Sequence, residues 1–427
     1  MEFSLDAFFN PHLAVGVRRI DAVLSAKVEG SPSGQAGVGK AICFLIDVSG
    51  SMQTELRDAK IAARRCIDLL DPTTHFCVIA FNDTANAIVP MGPTNASRKS
   101  SAHNAIQNLG AGGGTCFSRA LDCARQQFAS STGTVNAAML LTDGENDSGD
   151  APALAQAIAN IDGAFQCDCR GLGSGWRPDQ LRQIANALAG NADACVHADQ
   201  IEADFKGFLA RVMGKVTSDA RLKIWTPKVA RLISIKQMSP EIIDITTRGR
   251  RIDDKTTEFS LGSWGSETRD YHVAIELPAG SAGDEMMACR ASISVRQNGQ
   301  ETSVSAPNVV ATWSLDNSLT TRINAQVAHY TGQTELADSI REGLAALDAR
   351  KIDEATRQLG KAAKIAHASG NDEVTARLRK VVDIVDADAG TVRIKAGVAK
   401  GDTLELDMGG TRTVRRRVGV AAEPAKP

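Results

Sequence analysis

Residues 40 to about 216 alternate short apolar runs with amphipathic runs, and this alternation constrains the fold more than any other feature of the sequence. In the amphipathic runs, apolar residues recur at three-to-four spacing, as on one face of a helix. The predicted strands between them are AICFLID, FCVIAF, AAMLLTD, AFQCDCRGL and ADACVHA. Buried strands that alternate with helices predict an α/β fold with a doubly wound, mainly parallel sheet, here over residues 40–218.

The segments on either side of this region have the alternating polar and apolar pattern of antiparallel strands. Residues 219–316 hold short runs of alternating polar and apolar residues at roughly 10-residue spacing, separated by turn-like segments, which predicts a β-sandwich. Residues 1–39 predict one or two strands followed by a Gly-rich linker, and we expect the strands to pack on the β-module.

The last hundred residues return to helical periodicity. Residues 317–389 carry apolar stripes, of which the third comprises Val374, Leu378, Val381 and Val385, and they predict a small helical bundle. Residues 390–427 contain the run TRTVRRRV and a Pro/Ala-rich end, and predict a flexible basic tail. The 427-residue length, which suggests about three domains, agrees with this division.

Polar side chains gather where three of the predicted elements meet loops. Asp47, Ser49 and Ser51 form a D-x-S-x-S pattern between a buried strand and a helix. Thr115 follows a run of three glycines, and Asp143 follows another buried strand. Because ligand sites in open α/β sheets collect at the carboxyl ends of the strands, these five side chains are expected to converge.

In this order and context, the pattern resembles the metal-ion-dependent adhesion site of the von Willebrand factor A (VWA) family, over residues 40–217. The resemblance implies that Ser49, Ser51 and Thr115 bind Mg²⁺ directly, with Mn²⁺ or Ca²⁺ as alternatives. It implies that Asp47 and Asp143 act through water. Mg²⁺ prefers oxygen ligands in near-octahedral geometry, and neutral hydroxyls leave its charge undercompensated. An Asp or Glu of a protein partner then becomes a favourable further ligand.

A simpler interpretation of the same residues stays open at this point. Asp47, the two serines and Thr115 can act as helix caps, and Asp143-Gly144 can be an ordinary turn. Asp47 also resembles an aspartyl nucleophile, but the second Asp of haloacid-dehalogenase-like enzymes is replaced by Ser49. The histidines lack metal-ligand or catalytic spacing, so the sequence predicts a protein that is not an enzyme.

Composition excludes several classes of partner. With 48 Lys plus Arg against 50 Asp plus Glu, the net charge of -2 supplies no general attraction for nucleic acid or anionic membranes. No apolar run approaches the roughly 20 residues of a membrane span, and the N-terminus lacks the pattern of a signal peptide. The nine cysteines are scattered, which is typical of free thiols. We therefore expect a cytoplasmic protein.

The order of the modules also resembles cytoplasmic bacterial VWA proteins of kinase-, phosphatase- or tellurium-resistance-associated stress systems. The phrases WTPKVARLISIKQMSPEIIDITTRG and GDEMMACRASISV carry this likeness. It implies a Ser/Thr kinase, a phosphatase or a forkhead-associated-domain protein as partner. Thr411 and Thr413 are then candidate phosphorylation sites, because a mobile threonine among arginines is accessible to a basophilic kinase.

The leading functional hypothesis is an adaptor whose metal site captures an acidic group of a protein partner. VWA proteins also serve AAA+ ATPases and chelatases, so an auxiliary subunit that presents substrate to such a machine is the alternative. A metal-dependent phosphatase is a third hypothesis, which the absence of a recognisable general acid disfavours.

Overall fold

The computed structural model describes residues 2–29, 39–131, 134–161, 163–195, 198–297 and 300–415. The expected linker at residues 30–38 and the end of the expected tail, residues 416–427, lie outside these ranges. In the described part of the chain, no helix is long and apolar enough to cross a membrane. The chain begins with strands β1 (Glu2–Phe9), β2 (His12–Ala14) and β3 (Arg19–Glu29).

The next region forms a mainly parallel sheet in the order β6-β5-β4-β7-β8-β9. The sheet is parallel except for β6, which runs antiparallel to β5 at the edge. Every residue of the central strand β4 is buried, because helices cover both faces of the sheet. This arrangement confirms the predicted α/β fold. Its strands are β4 (Lys40–Asp47), β5 (Thr74–Phe81), β6 (Ala85–Pro93), β7 (Val135–Thr142), β8 (Gln166–Leu172) and β9 (Ala192–Cys195).

The helices of this domain divide between the two faces of the sheet. They are α1 (Leu56–Asp68), α2 (Ala96–Gln107), α3 (Phe117–Phe128), α4 (Ala151–Ile161), α5 (Pro178–Ala187) and α6 (Ala198–Met213). Helices α1, α2 and α6 share one apolar core, in which Phe44 stacks on Phe205 with ring centroids 5.7 Å apart. Helices α3, α4 and α5 pack on the opposite face, where Phe128 stacks on Phe165. The apolar stripe of each helix therefore meets one side of the sheet.

Two further sheets face each other across a second core. One has the order β1-β3-β15-β11-β12, and the other has the order β13-β14-β10-β16-β18-β2, with β17 paired to β16. The N-terminal strands thus belong to this sandwich, since β3 pairs with β15 and β2 with β18. Leu24 and Val273 of the first sheet share a core with Leu222 and Phe259 of the second. The added strands are β10 (Lys215–Trp225), β11 (Arg231–Ser239), β12 (Ile243–Asp244), β13 (Arg250–Arg251), β14 (Thr256–Gly265), β15 (Thr268–Glu276), β16 (Glu285–Gln297), β17 (Gln300–Ser305) and β18 (Val309–Ser314).

Helices return after the sandwich, but the third predicted helix is shorter and the predicted tail is more ordered than the sequence indicates. The third apolar stripe stops at Val381, and Val385 is 65% exposed on a strand. The β-branched residues Val382, Ile384 and Val385 favour the extended backbone of that strand. The expected flexible tail is also wrong for residues 391–409, which form a strand and a helix. The elements are α7 (Asn317–Thr320), α8 (Ala325–Asp348), α9 (Ile352–Ser369), α10 (Asp372–Val381), β19 (Val382–Asp386), β20 (Thr391–Ile394) and α11 (Lys400–Gly409).

Residues 411–415, which follow α11, lie against the sandwich. Thr411 Oγ1 donates a hydrogen bond to Glu241 Oε1 at 2.7 Å, and Thr413 Oγ1 donates to the carbonyl oxygen of Met238. The backbone N–H of Thr413 donates to the carbonyl of Pro240 at 3.0 Å. These contacts hold both residues in place, so the prediction that Thr411 and Thr413 are mobile is wrong. Mobility was the reason to expect that a kinase could reach them, and that reason no longer applies.

Asp193 lies in β9, the edge strand of the parallel sheet, and connects the parallel-sheet domain to the C-terminal elements. Its buried carboxylate accepts hydrogen bonds from Arg377 of α10, at 3.3 Å, and from Arg412. Burial opposes the charged form, but the charges of Arg412, Arg377 and Arg170 outweigh it and lower the pKa of Asp193. Ion pairs of the charged carboxylate with Arg377 and Arg412 therefore join the parallel-sheet domain to the C-terminal elements.

Replacing Asp193 by asparagine should weaken this junction. We expect Asp193→Asn to lower the free energy of unfolding by about 3 kcal/mol at pH 7, because it leaves partly buried arginines without their anion. The loss should shrink as the pH falls below about 4, since a carboxylate with a lowered pKa stabilises the fold only while it is ionised. Urea unfolding at pH 7 and pH 3.5 measures both effects. Asp179→Asn, at an exposed ion pair with Arg177, is the matched control and should change little.

Candidate metal centre

The five predicted ligands lie at one edge of the parallel sheet. Strands β4 and β7 are parallel neighbours, with Ile46 opposite Leu141, so the residues that follow them, Asp47 and Asp143, leave the sheet side by side. A single 3₁₀ turn over residues 50–53 follows β4. The turn carries Ser51, and Ser49 immediately precedes it. The structure thus brings the strand-end residues together as the topology predicts.

Asp47 is fully buried, and both of its carboxylate oxygens are engaged. The backbone N–H of Ser49 donates to Oδ1 at 2.7 Å, and the Thr142 hydroxyl donates to Oδ2 at 2.5 Å. Burial raises the pKa of Asp47 to about 6, and the nearby charge of Asp143 acts in the same direction, whereas the hydrogen bonds from Thr142 and Ser49 oppose it. An acid held in this way would be stabilised by a nearby cation.

The two serine hydroxyls and Asp143 form a short chain of contacts. Ser49 Oγ and Ser51 Oγ lie 3.0 Å apart, and the Ser51 hydroxyl donates to Asp143 Oδ1 at 2.6 Å. Ser49 and Asp143 are buried, but Ser51 is exposed. The group therefore reaches the protein surface at Ser51.

Thr115 reaches the same place from the Gly-rich loop before α3. Gly113 has a φ of +86°, a conformation that side chains disfavour, and its carbonyl accepts a hydrogen bond from the N–H of Gly50 at 2.9 Å. The N–H of Gly112 donates to the carbonyl of Val48 at 2.7 Å, and the carbonyl of Thr115 accepts from Asp147 at 2.8 Å. The backbone thus ties the loop to the residues that follow β4.

Gly144 reveals where the hydroxyls converge. A Cβ atom on Gly144 would lie 3.0 Å from Ser51 Oγ, 3.3 Å from Thr115 Oγ1 and 3.9 Å from Ser49 Oγ. The three oxygens therefore surround one small space, which exists because residue 144 has no side chain. Three hydroxyl oxygens with two carboxylates beside them are a donor set that suits a hard divalent cation such as Mg²⁺. The residues present thus fit the metal that the sequence predicts.

Three further residues support this arrangement, and the sequence does not point to them. Thr142 positions Asp47, and its only signal is its place as the last residue of a buried strand. Gly144 leaves the central space open, but in the sequence it appears as a turn glycine. Glu55 also lies near Asp143, where burial, reinforced by that charge, raises its pKa. The local field is therefore more negative than the five predicted residues imply.

A second acidic group, formed by Asp83, Cys116 and Asp147, lies beside the Thr115 loop, with ligand atoms within 4.8 Å of one another. Its carboxylates accept hydrogen bonds from the loop backbone, from Gly114 N–H to Asp83 at 2.9 Å and from Thr115 N–H to Asp147 at 3.3 Å. Burial and the neighbouring acids raise the pKa of the Cys116 thiol to about 11. These side chains hold the loop, and the thiol is protonated near neutral pH.

Comparisons with known proteins agree with this architecture. Residues 41–206 match the model of the von Willebrand factor type A domain, and residues 364–410 match that of the von Willebrand factor type A C-terminal domain. The second match covers part of the helical region and α11. A comparison with curated proteins found no match.

Two solved structures resemble almost the whole chain. A von Willebrand factor type A protein from Catenulispora acidiphila is 36% identical, with 97% of each chain covered and a TM-score of 0.88. The ArnB paralog VWA2 from Sulfolobus acidocaldarius is 14% identical, with 96% of this chain and 98% of that chain covered and a TM-score of 0.61, so it shares the fold. With more than a third of its residues identical to the first structure over nearly its full length, the chain belongs to the von Willebrand factor type A family.

Proposed function

We propose that this chain is a non-enzymatic adaptor of the cytoplasm, in a stress or signalling system, that binds its protein partners through a Mg²⁺-dependent site. The observation that carries the proposal is the convergence of Ser49, Ser51 and Thr115 around the space beside Gly144. VWA domains are commonly involved in protein interactions, and that general role agrees with the proposal. The identity of the partner, whether kinase, phosphatase or forkhead-associated-domain protein, stays a prediction.

The chemistry of the side chains indicates what such a site would recognise. Ser49, Ser51 and Thr115 would hold the cation directly, while Asp47 and Asp143 would act through water, as the family pattern implies. The bound ion would supply a positive charge that neutral hydroxyls compensate poorly, so it would favour a carboxylate as a further ligand. The exposure of Ser51 gives a partner's Asp or Glu access to this edge.

The surroundings of Asp47 argue against the phosphatase hypothesis. An aspartyl nucleophile must reach the substrate, whereas Asp47 is buried and both of its oxygens accept hydrogen bonds. The nine cysteines are free thiols, which supports a reducing compartment. These features favour a binding role inside the cell.

A metal-dependent capture experiment tests the proposal. The full chain is immobilised and exposed to native lysate in Mg²⁺ or in EDTA, and the retained proteins are identified. We expect specific partners in Mg²⁺ that are lost in EDTA and with Asp47→Ala. Replacing the contacting Asp or Glu of such a partner by Asn or Gln should abolish its capture. Partners that bind equally well in EDTA would refute metal-bridged recognition.

A further inference from the structure

A cavity of about 150 Å³ lies between the parallel-sheet domain and the sandwich, away from the candidate metal centre. Among the residues that line it are four cations and a tyrosine: Arg211, Lys215, Arg248, Arg269 and Tyr271. Arg211 belongs to α6, whereas Arg248 and Tyr271 belong to the sandwich. We call this space the junction cavity.

The acids that line the junction cavity are already engaged. Asp168 pairs with Arg211 at 2.7 Å, and Glu267 is shared by Lys215 and Arg269, each at 2.8 Å. Glu241 accepts a hydrogen bond from Thr411, and burial raises its pKa, which favours its neutral form. The cavity therefore has more positive charge than its own acids compensate.

Lys215 and Arg248 lie in this environment. Burial, reinforced by the charge of Arg269, lowers the pKa of Lys215 to about 8, even though Glu267 contacts the amine. No ion pair within 4 Å joins Arg248 to a carboxylate in the described part of the chain. Burial lowers the pKa of Arg248 to about 10, and the more distant charge of Asp244 opposes this shift only in part. A largely buried guanidinium without a close counter-ion is costly, so an anion at this place would stabilise it.

Two polar atoms at the junction cavity also lack hydrogen-bond partners among the residues that the structure describes. They are Nη2 of Arg248 and the hydroxyl of Tyr271, and both atoms are buried. Tyr271 is 1% exposed, and the Arg269 guanidinium lies near its hydroxyl without forming a hydrogen bond of normal geometry. Buried donors are rarely left unsatisfied in folded proteins, so these two indicate that a ligand or ordered water completes the site.

We propose that the junction cavity binds a small free oxyanion of the phosphate class, with Arg248 and Tyr271 as its principal donors. The volume of about 150 Å³ is enough for a tetrahedral oxyanion together with ordered water. Guanidinium groups match the geometry of such oxygens. Since the lining comes from both domains, the anion stabilises their contact.

Titration of the metal-free full chain with inorganic phosphate tests this site independently of the metal centre. Melting temperature is followed at constant ionic strength, with chloride as the balancing anion. We expect a saturable rise of several degrees, because a ligand that binds only the folded state stabilises it. A rise that grows without saturation is the general salting effect of phosphate and would overturn the proposal.

Variants locate the effect. Arg248→Met and Tyr271→Phe should each remove most of the saturable rise, with at least about a tenfold loss of phosphate affinity in calorimetry. Tyr271→Phe deletes a single oxygen, so it keeps the test valid if Arg248→Met folds poorly. Arg231→Met removes an exposed cation of the same sandwich and should respond as the wild type does. Saturable binding that both cavity variants retain would place the anion elsewhere and refute the proposal.

Discussion

Gly144→Ala should abolish Mg²⁺ binding while leaving the protein folded. The added methyl group would lie 3.0 Å from Ser51 Oγ and 3.3 Å from Thr115 Oγ1, within the space that the hydroxyls surround. Even indirect changes to metal sites cost 10- to 100-fold in affinity, so a group placed among the ligands should cost at least about 100-fold. Calorimetric titration with Mg²⁺ measures the loss directly.

Gly112→Ala is the matched control for this experiment. It lies in the same Gly-rich loop, and a Cβ on Gly112 would meet no atom of the described residues within 4 Å. It should therefore bind Mg²⁺ as the wild type does. If Gly144→Ala binds Mg²⁺ normally, or if Gly112→Ala weakens binding equally, the cation does not occupy the space among the three hydroxyls.

Asp47→Asn should stabilise the metal-free protein but prevent its stabilisation by Mg²⁺. Burial raises the pKa of Asp47 to about 6, above an ordinary value of about 3.9, so the ionised form destabilises the fold at pH 7. Asparagine removes that charge, and its oxygen can still accept from the N–H of Ser49. Its amide can donate to the Thr142 oxygen once the Thr142 hydroxyl donates to the carbonyl of Gly144 instead. We expect a gain of about 1 to 3 kcal/mol in the free energy of unfolding without metal.

The pH dependence distinguishes this effect from a general change in packing. A carboxyl group with a raised pKa favours folding in its protonated form, so metal-free wild type should lose stability as the pH rises from about 4 to 6. Asp47→Asn should lack that loss. Urea unfolding at pH 4.5 and pH 7, with Asp179→Asn as the exposed control, measures the difference. A variant that is less stable than wild type at pH 7 without metal would contradict the account.

The parallel-sheet domain was predictable because its central strand is buried along its whole length and each of its helices packs an apolar stripe against one side of the sheet. Helix α11 shows the opposite case. Its apolar residues alternate along the sequence, as in a strand, because Leu404 and Met408 pack on the parallel-sheet domain while Leu406 packs in the helical core. A helix wedged between two cores has no single apolar stripe, and its periodicity therefore misleads.

The site shows a similar division. The rule that strand ends collect ligands predicts that Asp47, Ser49, Ser51, Thr115 and Asp143 meet. The hydrogen bond from Thr142 to Asp47 and the open space at Gly144 depend on the spacing of two neighbouring strands, and local sequence does not encode that spacing. The arginines that engage Asp193 are likewise distant in sequence, so only the folded chain reveals them.

Diffraction from crystals soaked in Mn²⁺, recorded at the manganese absorption edge, shows directly whether a cation binds among the three hydroxyls. Mn²⁺ substitutes for Mg²⁺ at oxygen sites and gives an anomalous signal that locates it. We expect one strong peak about 2 Å from the hydroxyl oxygens of Ser49, Ser51 and Thr115. A peak only among Asp83, Cys116 and Asp147, or no peak beside Gly144 at saturating Mn²⁺, would contradict this expectation.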